Sequence, residues 1–146
     1  MNTADNEQNK LAFFFPGQGS QYIGMGKNLC IGHAEAREAF EEASDALGQD
    51  IKKLCWESDL AELSSTQNSQ PAILTCSVAM FRTYMPGAAH RPPSFMLGHS
   101  LGEFSALTCA GALSLSEAVK LVAERGRLMQ DAIPVGVGGM TAISGL

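Results

Sequence analysis

The sequence predicts an α/β fold with a mostly parallel sheet, and three observations carry that prediction. Short continuous apolar runs, each reading as a strand, recur at Leu11–Phe15, Ser94–Leu97 and Met140–Ile143. Between them lie segments with helical spacing of apolar residues, and such alternation is the signature of helices layered on a parallel sheet. With 146 residues, 45% of them apolar, the chain can bury one ordinary core but not two.

The elements follow in order. The polar leader MNTADNEQNK occupies 1–10, so the folded region is expected over 11–146. Leu11–Phe15 (LAFFF), closed by Pro16-Gly17, has the composition of a strand buried on both faces. The stretch PGQGSQYIGMG carries Gly17, Gly19, Gly24 and Gly26 and predicts a loop held in tight turns. From Ala34 to Leu47 the residues Ala36, Ala39, Phe40, Ala43 and Leu47 share one helix face, and Gly48 stands where the glycine that ends a helix belongs. A shorter helix is expected over Ile51–Trp56, then a loop over Ser64–Ser69. Pro71 suits the first turn of the next helix, with Ser69 or Gln70 near its cap. Ile73, Leu74, Ser77, Val78, Phe81 and Met85 continue that helix as a core stripe. Pro86–Pro93 is a connector, SFML a strand, and Leu101–Cys109 a helix. Ser114-Leu-Ser-Glu117 is a capping box opening a helix to about Gln130. The third strand, Met140–Ile143, has no helix after it, which leads us to expect the front part of a longer domain.

Composition narrows the function. Ten basic against fifteen acidic residues give a net charge of −5, which argues against broad basic surfaces for nucleic acid or anionic membrane. Charged residues are only 17%, below the roughly 25% usual in soluble domains, a hint that some surface is meant for burial. Cys30, Cys55, Cys76 and Cys109 show no metal-ligand or CxxC spacing and read as buried free thiols of a reducing compartment. The acidic N-terminus is unlike a signal peptide and no run of 18 apolar residues exists, so a cytoplasmic location is expected.

Gly98-His99-Ser100-Leu101-Gly102 matches G-x-S-x-G, the strand-to-helix turn that exposes a nucleophilic serine over a helix N-terminus. Positive dipole and free N–H groups there favour a developing oxyanion. Ser100 and Glu103 equally fit S-x-x-E, so a plain helix cap is the competing reading. His99, adjacent to Ser100 on a sharp turn, should point away from its hydroxyl; His33 and His90 read as solvated bystanders. Taken alone, Arg125 reads as a solvated helix arginine, Gln18 as an ordinary loop residue and Arg127 as surface.

Four motifs in one order change that reading: Phe15-Pro16-Gly17-Gln18-Gly19-Ser20-Gln21, Gln70-Pro71-Ala72, Gly98-His99-Ser100-Leu101-Gly102-Glu103 and Arg125-Gly126-Arg127-Leu128-Met129. Together they closely resemble the malonyl-CoA:acyl carrier protein transacylases of fatty-acid and polyketide synthesis. The resemblance runs from Leu11 to Leu146 and covers about the first half of such an enzyme. It implies an α/β-hydrolase-like large subdomain, ending before the ferredoxin-like small subdomain. It further implies that Ser100 is the nucleophile, taking a malonyl group from coenzyme A as an ester and passing it to the phosphopantetheine thiol of acyl carrier protein. By the same resemblance, backbone N–H groups of Gln18 and Leu101 form the oxyanion hole, Arg125 grips the malonyl carboxylate and Gln70 lines the pocket. Malonyl-CoA and acyl carrier protein are then the partners, the coenzyme A thioester is a substrate, and no permanently bound cofactor or metal is expected.

The family's general base is a histidine downstream of the serine, and none of the 46 residues after Ser100 is histidine (146 − 100 = 46). Turnover by these residues alone is therefore not expected, and a second polypeptide carrying the histidine half is a candidate partner. Two rivals stand beside the transferase: a serine hydrolase, which would have little use for Arg125, and a non-catalytic piece or split subunit that binds acyl-CoA or carrier protein.

Overall fold

The computed structural model describes residues 10–87, 92–133, 136–138, 143 and 145. Two strands and a series of helices alternate along it: β1 (Ala12–Phe15), α1 (Lys27–Gly32), α2 (Ala34–Leu47), α3 (Ile51–Glu57), α4 (Leu60–Ser64), α5 (Thr66–Gly87), β2 (Phe95–Gly98), α6 (Leu101–Cys109) and α7 (Leu115–Ala132). β1 and β2 pair in parallel, Ala12 opposite Phe95 and Phe15 opposite Gly98, with α1–α5 forming the crossover. The fold class is thus α/β, a small parallel sheet with many helices.

The core lies among the helices. α5 packs against both α2 and α7, and Phe40, Leu74, Val119 and Val122 are fully enclosed there. Burying an aliphatic or aromatic side chain of this size contributes about 1.5–3 kcal/mol. The small residues Ala36, Ala39 and Ala43 on the inner face of α2 let the helices approach closely. α2 stops at Gly48, whose φ of 64° puts it in the left-handed region while its N–H reaches the Ser44 carbonyl. Asp50 and Asp59 cap α3 and α4, accepting from the N–H of Lys53 (2.9 Å) and Glu62 (2.8 Å). Ser114 and Glu117 complete the expected capping box at α7. Trp56 stacks obliquely on Phe40 and donates its indole N–H to the Met25 carbonyl at 2.9 Å, tying the glycine-rich loop to the core.

Several expectations need correction. Ser64–Ser69 is helical from Thr66 onward, and Pro71 lies inside α5, not in its first turn. Tertiary packing overrides the weak helix preference of these polar residues: Ser69 and Gln70 are fully buried, and Gly126 of α7 fits against the backbone of Thr66. β1 is not buried on both faces. Phe13 packs edge-on against Phe81 and Tyr84 of α5, but Phe14 on the opposite face is 77% exposed, as are its neighbours Phe95 and Leu97 in large part. α6 packs against both strands, and Phe81 and Tyr84 of α5 against Phe13. Phe81 and Met85 are half-buried, at the edge of the core stripe. The short helix α1 follows the glycine loop without a sequence signal strong enough to predict it. Cys30 and Cys55 are buried and Cys76 and Cys109 only half-buried; all four are free. The leader up to Asn9, His90 and most of the Met140–Ile143 segment lie outside the described residues. Among the described residues no helix is long and apolar enough to cross a membrane.

Candidate active site

Ser100 sits between the end of β2 and the start of α6 with φ 55° and ψ −107°, the one non-glycine residue of positive φ among those described. Such backbone typically costs about 1–3 kcal/mol and persists where the surroundings impose it. The surroundings here are two glycines. A Cβ on Gly98 would lie 2.0 Å from the Gly102 carbonyl carbon, and one on Gly102 would lie 2.3 Å from the Phe15 carbonyl oxygen. Both strand ends therefore touch the first turn of α6 through bare backbone. The serine makes no cap hydrogen bond, so the plain helix-cap reading does not hold for its side chain.

What Oγ does instead is accept a hydrogen bond from Arg125 Nη2 at 2.9 Å. Arg125 projects from α7, 25 residues away, and its Nη1 donates to Gln70 Oε1 of α5 at 2.6 Å. Gln70 is fully buried, and its own Nε2 rests 3.4 Å from Met129 Sδ. The guanidinium carbon stands 5.5 Å from the centre of the Phe104 ring. Three helices thus deliver a cation to the hydroxyl at the elbow. Arg125 is partly buried, not a solvated helix arginine, whereas Arg127 is exposed and pairs with Glu124 and Asp131.

The loop after β1 borders the elbow. A Cβ on Gly17 would meet the His99 carbonyl oxygen at 3.0 Å. Gln21 fastens this loop by accepting from the Gly19 N–H (2.8 Å) and donating to Ser64 (3.1 Å), while Gln18 Nε2 donates to Thr66 (3.2 Å). The Gln18 backbone N–H meets no protein acceptor among the described residues, and that of Leu101, first in α6, has none within its helix. A helix N-terminus such as that of α6, where Leu101 lies, favours negative charge. His99 is exposed and its ring makes no hydrogen bond to Ser100 among the described residues; His33 is the exposed cap of α2. Burial raises all four thiols, Cys55 and Cys109 to about 12 and Cys76 to about 11, so none competes as a nucleophile.

Sequence reasoning missed Phe104, Thr66 and the steric role of Gly126. Phe104 follows Ser100 by four residues, the spacing that shares a helix face, and this was the available signal. For Gly126, a Cβ would lie 2.5 Å from the Thr66 carbonyl, a contact that no local pattern reveals.

Comparison with known proteins gives a concordant picture. The acyl transferase domain family matches residues 12–145. A malonyl CoA-acyl carrier protein transacylase of Bacillus subtilis is 55% identical over 136 residues, 93% of this chain and 34% of that protein. The protein of that name from Salmonella typhimurium is 47% identical over 94% of this chain and 44% of its own length. Among solved structures, the malonyl CoA-acyl carrier protein transacylase of Coxiella burnetii superposes with a TM-score of 0.82 at 48% identity, over 88% of this chain and 40% of that one. A malonyl-transacylase in complex with a type II polyketide synthase acyl carrier protein superposes at 0.80 with 45% identity, over 86% and 40%. The chain therefore spans well under half the length of these relatives.

Proposed function

Since the chain belongs to the acyl transferase domain family, we propose that it carries the nucleophile and acyl-binding residues of a malonyl-CoA:acyl carrier protein transacylase serving fatty-acid or polyketide synthesis. The observation that carries this reading is the Arg125–Ser100 contact, braced by Gln70. A malonyl ester on Oγ ends in a carboxylate only two carbons beyond the ester carbonyl. A guanidinium within hydrogen-bond reach of Oγ is therefore at the right range to take that carboxylate on its planar fork.

The chemistry runs in two transfers. A base takes the Ser100 proton, Oγ bonds to the thioester carbonyl carbon, and the Gln18 and Leu101 N–H groups receive the oxyanion. Collapse breaks the carbon–sulfur bond and the departing coenzyme A thiolate takes the proton. The phosphopantetheine thiol of the carrier then attacks the ester and the same steps run in reverse. Each oxyanion donor is typically worth about 10²–10³ in rate. Coenzyme A enters as a thioester substrate, with no permanently bound cofactor. His33, His90 and His99 are the chain's histidines, and none follows Ser100. By the family resemblance the base is a histidine downstream of the nucleophile, which a second polypeptide would supply. We read 11–146 as part of an α/β-hydrolase-like large subdomain, and the cytoplasm as its proposed location.

The test combines the chain with a polypeptide supplying the histidine and follows labelled malonyl-CoA. Label passing to holo-acyl carrier protein is the expected result; release to water without transfer would replace this reading with a serine hydrolase.

A further inference from the structure

Resting on that reading, we propose that Phe104 is a positioning residue for Arg125, holding the guanidinium so that its free N–H edge faces Ser100 and selects acyl groups ending in a carboxylate. The guanidinium carbon lies 5.5 Å from the Phe104 ring centre, within the range of attraction between a cation and an aromatic face. Phe104 is partly buried on α6, one turn after Ser100, so nucleophile and ring move as one rigid unit.

Two features make this contact more than packing. First, an arginine side chain held at one point can still swing about it. Gln70 fixes Nη1 from α5, and the other hydrogen bond, from Nη2, goes to the very hydroxyl that is to be acylated. The ring restrains the guanidinium through a different surface and from a different helix. Second, the guanidinium carbon lies over the ring, a contact that needs no hydrogen-bond acceptor. A carboxylate in the same place would hold the cation just as firmly, but would occupy the fork that must receive the acyl group. Among the described residues Arg82 and Arg127 each pair with a carboxylate, through Glu42 and Glu124, and Arg125 with none. Its partners are an amide oxygen, a hydroxyl and an aromatic face, all neutral. That set keeps the arginine in place and leaves its charge uncompensated.

Equilibrium binding of malonyl-CoA and acetyl-CoA to the full chain tests the inference, read as the ratio of the two affinities. Phe104→Leu should lower that ratio about three- to tenfold by weakening malonyl-CoA alone, and Phe104→Tyr, which keeps the aromatic face, should restore it. Phe104→Met fills similar space without a ring and carries the same expectation as leucine should the leucine variant fail to fold. A purely structural role would weaken both ligands together and leave the ratio unchanged. Arg125→Ala separates the two levels of the argument. If it collapses the ratio while Phe104→Leu and Phe104→Met leave it within twofold, the positioning role is wrong and the arginine's role stands. If the wild-type chain shows no preference for malonyl-CoA, or Arg125→Ala does not change it, the underlying reading fails and the inference with it.

Discussion

The α2–α5–α7 block and the strand end of the molecule hold their residues by different means. In the block, side chains fill the space: Phe40, Leu74, Val119 and Val122 are enclosed on all sides by neighbouring helices. At the strand end, backbone meets backbone. Gly98, Gly102 and Gly17 let strand ends, loop and helix touch where any Cβ would collide, while Phe14 and Phe95 remain open to solvent. The strained serine belongs to this second region, and the arginine that reaches it is rooted in the first. The helices bury the core and the glycines shape the strained turn, so stability and the proposed chemistry should be separable.

The largest expected effect tests the chemical side. Ser100→Ala, assayed with the histidine supplied, should lower malonyl transfer by about 10⁴-fold or more while the thermal midpoint stays where it was. A large fall in that midpoint would mean that the turn is part of the stabilising core, erasing the distinction. On the other side, Phe40→Ala empties a fully buried site and should cost about 3–5 kcal/mol by denaturant unfolding, with activity lost only as the fold is lost.

Arg125 sits across the boundary, so its variants sharpen the comparison. Arg125→Ala should weaken malonyl transfer about ten- to a hundredfold and narrow the gap to acetyl-CoA in kcat/KM. It should also leave the buried Gln70 Oε1 without its partner, so a modest loss of stability accompanies the loss of selectivity. Arg125→Lys should recover little, because a point charge cannot replace the fork. The smallest effect belongs to the cap of α7. Hydrogen bonds from the Ser114 side chain, then from its backbone N–H, hold the Glu117 carboxyl below its ordinary value of 4.5. A depressed carboxyl stabilises the fold above its unfolded pKa, and that contribution fades as pH falls through the folded value. Melting curves between pH 6 and pH 3, a range set about the ordinary glutamate pKa, should therefore fall more steeply for wild type than for Glu117→Gln. No catalytic readout should respond.

The sequence disclosed most where one residue decides one local event. Gly48 ends α2, Ser114 and Glu117 open α7, and G-x-S-x-G marks the strand-to-helix turn, because each acts within a few residues of itself. It disclosed least where the decision is made across the fold. Ser64–Ser69 is polar enough to read as a loop, yet α7 packs on it through Gly126 and it is helical from Thr66. Arg127 has Glu124 and Asp131 at helical spacing, a pairing the sequence displays, whereas Arg125 has only apolar residues there; its contact with Ser100 is set by the approach of α7 to α6, which no local pattern reveals. The four-motif resemblance bridged that gap for Arg125 and Gln70. It left out Phe104, which no motif singles out and which the helix geometry places under the guanidinium.

Mapping the malonyl adduct is the most direct test of the account. The chain, combined with a histidine-supplying polypeptide and malonyl-CoA, is quenched in acid before carrier protein is added, then digested and analysed by mass spectrometry. The account predicts a malonyl ester on the peptide containing Ser100, absent from Ser100→Ala, and a far weaker acetyl ester when acetyl-CoA replaces malonyl-CoA. A malonyl group on another residue, or labelling undiminished in Ser100→Ala, would contradict it.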